Sequence, residues 1–184
     1  MTEPMTLDAW QPLTQGAVFR QLLQAFSYPG RVATVAEKDS ALAHVLATLI
    51  DTEVTLADPH QLVEPRLLAL LEARPAEPEL AQFVVACADS APRFTPALGT
   101  LEAPEQGATL VLCVERLGEG QALSVSGPGV DGTLTLRVQG LNPAWLAARA
   151  TWSAHFPLGV DIILVDRERI AALPRTSCVN LGEH

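Results

Sequence analysis

The chain has 184 residues, 48% of them hydrophobic, with a formal charge of -9 at pH 7 and a pI near 4.8. That length buries one substantial core and leaves little room for two, so a single domain over residues 1–184 is expected, with residues 1–12 as a flexible N-terminal arm. The acidic excess repels a nucleic-acid backbone, whose binding depends on Lys and Arg displacing condensed counterions, and no apolar run approaches the length of a membrane span.

The opening "MTEPMTLDAWQP" carries Glu3 and Asp8 without a basic flank or a long apolar segment. It does not read as a signal peptide, and a cytoplasmic location is expected. Next, "TQGAVFRQLLQAFS" spaces Val18, Leu22 and Phe26 as one helical face, with Thr14 as N-cap and Pro29-Gly30 as the stop. An extended piece near Arg31 to Val35 follows, then a helix capped by Asp39 or Ser40 running to about Leu49, and a strand over Val54 to Ala57. Pro65 suits the first turn of a helix, which "RLLALLEAR" extends to about Arg74.

"AQFVVACA" then reads as a strand, and "APRFTPALGTLEAPEQG", Ala91 to Gly107, as a long surface connection of the kind that often carries function. "ATLVLCVE" is a near-continuous apolar run, the mark of a strand covered on both faces. The sequence predicts a turn at "RLGEGQ" and a hairpin partner at "ALSVS", with a further alternating strand at "TLTLRV". Asn142 and Pro143 open a helix through Trp145 and Trp152, "VDIILVD" makes a strand, and "RERIAAL" reads as a short helix. The sum is an α/β layered domain with a mixed β-sheet and flanking helices.

Little in the chain matches a complete catalytic pattern. Cys87, Cys113 and Cys178 are odd in number and far apart, as suits reduced and mostly buried thiols. His44, His60, His155 and His184 are scattered and no Cys-x-x-Cys occurs, so no metal is expected; His44, within "ALAHVLATLI", fits a satisfied core histidine. Neither a Gly-x-Ser-x-Gly elbow nor a phosphate-binding Gly-Lys-Ser/Thr loop is present, and Lys38 is the one lysine. The glycines of "SVSGPGVDG" permit successive backbone N–H groups to cradle an anion, although Pro128 removes a donor, and on punctuation alone the stretch is a turn. In "HFPLGVD", His155 and Asp161 are polar groups at the mouth of a strand, and strand ends in α/β sheets are where ligands gather. Trp10, Trp145 and Trp152 are candidate interface anchors, with Trp145 and Trp152 equally suited to the core.

Taken in order, "VFRQLLQAFSYPG", "PEQGATLVL", "SGPGV", "FPLGVDIILV" and "LPRTS" resemble the H-subunit family of the bacterial carbon–phosphorus lyase system, from about Phe19 to Val179. That resemblance implies a fold like the large domain of pyridoxal-phosphate-dependent transferases without the cofactor site. It also implies a homodimer that joins the G, I and J subunits and helps transfer a phosphonate to the ribose C1 of ATP with loss of adenine, ATP or phosphonate meeting a shared site. No cofactor is expected, since Lys38 sits in the charged turn "AEKDS" where a solvated lysine is ordinary.

Arg20, Gly127, Gly129, His155, Asp161, Arg175 and Thr176 are the candidate ligand-binding residues on this reading, and none is assigned a catalytic role. Arg175→Ala and Asp161→Ala are expected to abolish growth on phosphonate while leaving the monomer folded. Where many members carry an Arg-Phe-His-Thr-like segment, this chain has "LLEARPAEPEL", Leu70 to Leu80, which implies an altered pocket there. The alternative is a self-sufficient transferase or hydrolase acting on a nucleotide or phosphorylated sugar; the lack of a complete catalytic set favours the subunit.

Overall fold

The computed structural model describes residues 8–36 and 39–182, so Lys38, His184 and the first seven residues of the expected arm lie outside the description. Within residues 8–12 the arm is structured: Asp8–Trp10 forms a 3-10 turn that buries Ala9. Helix α1 spans Pro12–Ser27 and starts earlier than its apolar spacing suggests. Gln11 is its N-cap and Pro12 occupies the first turn, where a missing N–H costs nothing; Thr14 lies inside the helix.

A short strand, β1 (Ala33–Thr34), leads to α2 (Ala41–Leu49), whose N-cap is Ser40, its side chain accepting from Ala43 N–H at 3.1 Å. Strand β2 (Thr55–Ala57) precedes α3 (Pro65–Leu71). That helix stops short of Arg74 because Glu72 turns left-handed (φ 52°), freeing Arg74–Pro75 to pair as β3. Strands β4 (Phe83–Cys87) and β5 (Thr109–Cys113) follow, then β6 (Arg116–Ser126) and β7 (Thr133–Gln139). The chain closes with α4 (Ala144–Trp152), β8 (Asp161–Val165), β9 (Arg169–Leu173) and β10 (Cys178–Leu181).

The strands form a seven-stranded sheet in the order β1-β9-β8-β5-β4-β2-β3 and a three-stranded sheet in the order β10-β6-β7. In the large sheet only β9 opposes the common direction. Alternation along the central strands explains their unbroken hydrophobicity. Val85, Val111 and Ile163 face the layer built by α1, α2 and α3, while Val84, Leu110, Leu112, Ile162 and Leu164 face the small sheet and α4. The result is a mixed-sheet α/β domain with different coverings on its two faces.

Two sequence expectations fail here for identifiable reasons. "RLGEGQ" lies inside β6, where Gly118 and Gly120 adopt positive φ and shift the register between Leu117 and Gln121; the expected turn is a bulge. β6 pairs with β7 and β10, and not with β5. "RERIAAL" supplies β9 and not a helix. Its Ile170 and Ala172 enter one core and Ala171 and Leu173 the other, so two-sided burial overrides alanine's helical preference.

Trp145 is core, not interface. It is 1% exposed, meets Phe94 and Trp152 edge to face, and donates through Nε1 to Ser90 O at 2.7 Å. Trp152 is buried as well, and Trp10 is partly buried against α1 and α2. Asn142 Oδ1 accepts from Ala144 N–H at 2.9 Å, completing the expected start of α4.

Candidate functional site

The "SGPGV" stretch is resolved by its geometry. Val130 N–H donates to Gly127 O at 3.1 Å, and Gly129 adopts φ +82° after Pro128, the signature of a type II turn. Both glycines are also points of close approach. A Cβ on Gly129 would stand 2.1 Å from Ser27 O at the end of α1, and one on Gly127 would meet Thr176 O at 3.1 Å. The turn thus wedges between α1 and the 174–177 segment. Gly129→Ala combines a left-handed backbone with that clash and is expected to cost at least about 2 kcal/mol, read as a lowered urea midpoint with unchanged m-value.

Asp161 and Arg175 are brought together as one tightly bound pair. Asp161 Oδ1 accepts from Arg175 N–H at 2.8 Å, and Oδ2 accepts from Nε and Nη2 at 3.1 and 2.7 Å. Arg175 Nη1 reaches Pro104 O at 2.7 Å, so the guanidinium staples the end of the Ala91–Gly107 connection to the start of β8. With most of its donors engaged, Arg175 acts chiefly as a staple. Asp161 stands at the amino end of its strand, opposite the carboxyl ends where α/β sheets usually hold ligands.

At the carboxyl ends a 420 Å³ cavity is lined by Asp58, Glu77, Glu79, Arg93 and neighbours. The divergent 70–80 segment therefore contributes two carboxylates to a pocket wall, unfavourable surroundings for an anionic ligand. Nearby, His60 Nδ1 accepts from Cys87 N–H at 3.0 Å, which leaves any ring proton on Nε2.

A second cavity, about 540 Å³, lies against α4 and the run from Arg175 to Asn180. Pro128, Arg149, Ser153, Arg175, Thr176 and Ser177 are among its walls, which include no Asp or Glu among the described residues. Arg149 was not singled out by the sequence, where it is one arginine on an apolar helix. It is 4% exposed, donates from Nη2 to Pro174 O and Ser177 O (3.0 Å to the latter), and has no carboxylate within ion-pair distance among the described residues. Burial lowers its pKa, a trend that the charge of Asp161 opposes. Arg149 Nε, Ser153 Oγ and Ser177 Oγ are all buried with no hydrogen-bond partner among the described residues.

Of the expected residues, Arg175 and Thr176 line this cavity and Gly127 and Gly129 flank its Pro128 wall. His155 is exposed beside Phe156 and Arg20 lies on the exposed side of α1; neither is among the walls. His44 is buried, with Nδ1 donating to Ser40 O at 2.9 Å and Nε2 3.7 Å from Asp8. No group of three His, Cys, Asp or Glu among the described residues is placed to hold a metal, and no described helix is long and apolar enough to cross a membrane.

The cysteines divide differently from expectation. All three are free, but Cys178 is exposed at the cavity wall, while burial pushes the Cys113 thiol up to about 12 and also raises Cys87. At pH 8 a thiol reagent should therefore modify Cys178 well before Cys113, as read by peptide mass spectrometry. Equal labelling of the two would contradict the burial of Cys113.

Comparison with known proteins adds a family. Residues 8–180 match the family described as bacterial phosphonate metabolism protein (PhnH). The chain is 49% identical over 177 residues to a Stutzerimonas stutzeri protein named as C-P lyase subunit protein HtxG, covering 95% of this chain and 91% of that one. It is 34% identical over 177 residues to the alpha-D-ribose 1-methylphosphonate 5-triphosphate synthase subunit PhnH of Rhizobium meliloti, covering 88% of each. A family match across nearly the whole chain and two relatives matched almost end to end agree with the ordered motifs: the chain belongs to the bacterial phosphonate metabolism protein (PhnH) family.

Proposed function

We propose that this chain is a subunit of a carbon–phosphorus lyase assembly in phosphonate catabolism, supporting synthesis of alpha-D-ribose 1-methylphosphonate 5-triphosphate. The observation that carries the reading is the near end-to-end match to a relative named as a subunit of that synthase. The described residues support a subunit over a self-sufficient enzyme, because those around the cavity beside α4 include a cation and hydroxyls but no general base or nucleophile–base pair.

Self-pairing and union with the G, I and J subunits belong to the same proposal. Phe19 and Leu23, one turn apart on the outer face of α1, are 48% and 52% exposed and offer an apolar contact. The likeness to the large domain of pyridoxal-phosphate transferases, without cofactor, also belongs to this proposal, and Lys38, the chain's one lysine, lies outside the described residues.

The test is turnover. The purified chain with ATP and methylphosphonate is expected to release no adenine, and adenine release should require the partner subunits. Adenine or phosphate release by the chain alone, at a rate proportional to its concentration, would favour the transferase or hydrolase reading.

A further inference from the structure

From the cavity beside α4 we infer a binding site for a tetrahedral oxyanion, a phosphonyl or phosphoryl group, centred on Arg149 with Ser153 and Ser177. Three independent features of the fold meet there. The first is charge: in a chain with 21 acidic and 12 basic residues, this cavity has two arginines and, among the described residues, no carboxylate in its walls. Arg175 is neutralised by Asp161, so Arg149 supplies the uncompensated positive charge. A buried guanidinium held only by backbone carbonyls lacks the counter-charge that normally offsets its desolvation.

The second feature is missing hydrogen bonds. Buried polar side chains nearly always have partners, yet the three buried side-chain polar atoms without one, among the described residues, are Arg149 Nε, Ser153 Oγ and Ser177 Oγ. All three belong to residues that line this one cavity. One N–H and two hydroxyls on residues around a common space are the kinds of donor that suit several oxygens of one anion. The serines need only a change of staggered rotamer to present their O–H groups.

The third feature is size and shape. A volume of 540 Å³ lies within the range of small-molecule sites and exceeds what a bare phosphate fills. Phe156, Ala150 and Val179 add an apolar wall for the remainder of a larger molecule. Phosphonate and sugar phosphate share the tetrahedral oxyanion, and the choice of methylphosphonate as a test ligand rests on the subunit reading above.

The experiment is calorimetric titration of the full chain with inorganic phosphate, methylphosphonate and ribose 5-phosphate, repeated on Ser153→Ala, Ser177→Ala and the double variant. Because these hydroxyls have no partner among the described residues, their removal should leave the thermal midpoint unchanged or slightly raised. The same variants should weaken anion binding about tenfold each, the loss expected for a hydrogen bond to a charged group. Arg149→Gln should abolish binding, but Arg149 also ties α4 to Pro174 and Ser177, so the serine variants carry the test.

Tighter binding of methylphosphonate would identify the phosphonyl group as the occupant, and tighter binding of ribose 5-phosphate the sugar phosphate. Absence of binding heat for all three anions at about 10 mM, or affinities unchanged in the double serine variant, would overturn the proposal. A chain that assembles with its partner subunits yet binds none of these anions would lose this site and keep the subunit reading.

Discussion

Asp166→Ala is expected to destabilise the protein by about 3–5 kcal/mol, the largest single-residue loss outside the aromatic core. Asp166 lies just beyond β8, and its side chain is only 3% exposed. Oδ1 accepts from the N–H groups of Glu168 and Arg169 at 2.9 and 2.7 Å, shaping the turn into β9. Oδ2 accepts from Leu117 N–H at 2.9 Å and from Arg169 Nε at 2.9 Å. Leu117 belongs to β6, so one carboxylate joins the large sheet to the small one. Alanine strands these backbone donors, whereas Arg169→Ala removes only a partly exposed partner and should cost about 1 kcal/mol.

The same carboxylate predicts a pH dependence. Burial works to raise the Asp166 pKa, but the hydrogen bonds from Leu117, Glu168 and Arg169 outweigh it and hold the carboxyl below its ordinary value. The folded state therefore binds this proton less readily than the unfolded chain. Its contribution is complete above the unfolded value of about 4 and is lost as pH falls through the lower folded value. Urea unfolding between neutral pH and pH 3 should show the stability difference between wild type and Asp166→Ala shrinking in that acid window. A constant difference would contradict the role assigned to the charge.

Arg175→Ala carries the second large effect, about 3 kcal/mol, and it changes how a genetic result should be read. The side chains of Arg175 and Asp161 are 14% and 22% exposed, so most of their charge is withdrawn from water and either one alone would be left without its partner. Losing the guanidinium also frees Pro104 O, and with it the end of the Ala91–Gly107 connection. Faster limited proteolysis within that connection is the expected signature. Arg175→Lys should recover little, because an ammonium cannot reproduce the fork that engages the carboxylate and a carbonyl together. The expectation that loss of growth leaves a normally folded monomer is therefore revised. Growth loss in Arg175→Ala identifies a ligand contact only if the fold is measured alongside it.

The architecture was legible where local chemistry and burial agree. "TLVLC" and "DIILV" read as two-sided strands because both sheet faces are covered, and Ser40 and Asn142 announced their helices through short-range hydrogen bonds. It was illegible where distant contacts decide. Nothing local in "RERIAAL" reveals that it enters a sheet between β1 and β8, and β10 is a mostly exposed tetrapeptide whose pairing with β6 spans more than 50 residues of sequence. For the candidate site, "SGPGV" and "LPRTS" are legible as motifs in the sequence, and both flank the cavity beside α4. Arg149 was hidden because a lone arginine in "AWLAARATW" usually snorkels to solvent; only the tertiary fold shows it buried with no carboxylate partner among the described residues.

On the proposed function, this chain works inside a multi-subunit assembly for phosphonate metabolism. Co-expression of the tagged full chain with the G, I and J subunits from the same source, followed by native mass spectrometry of the eluate, tests it most directly. A defined heteromeric complex containing this chain in fixed stoichiometry is the expected result. Elution of the chain alone, while its intended partners remain soluble in the flow-through, would contradict it.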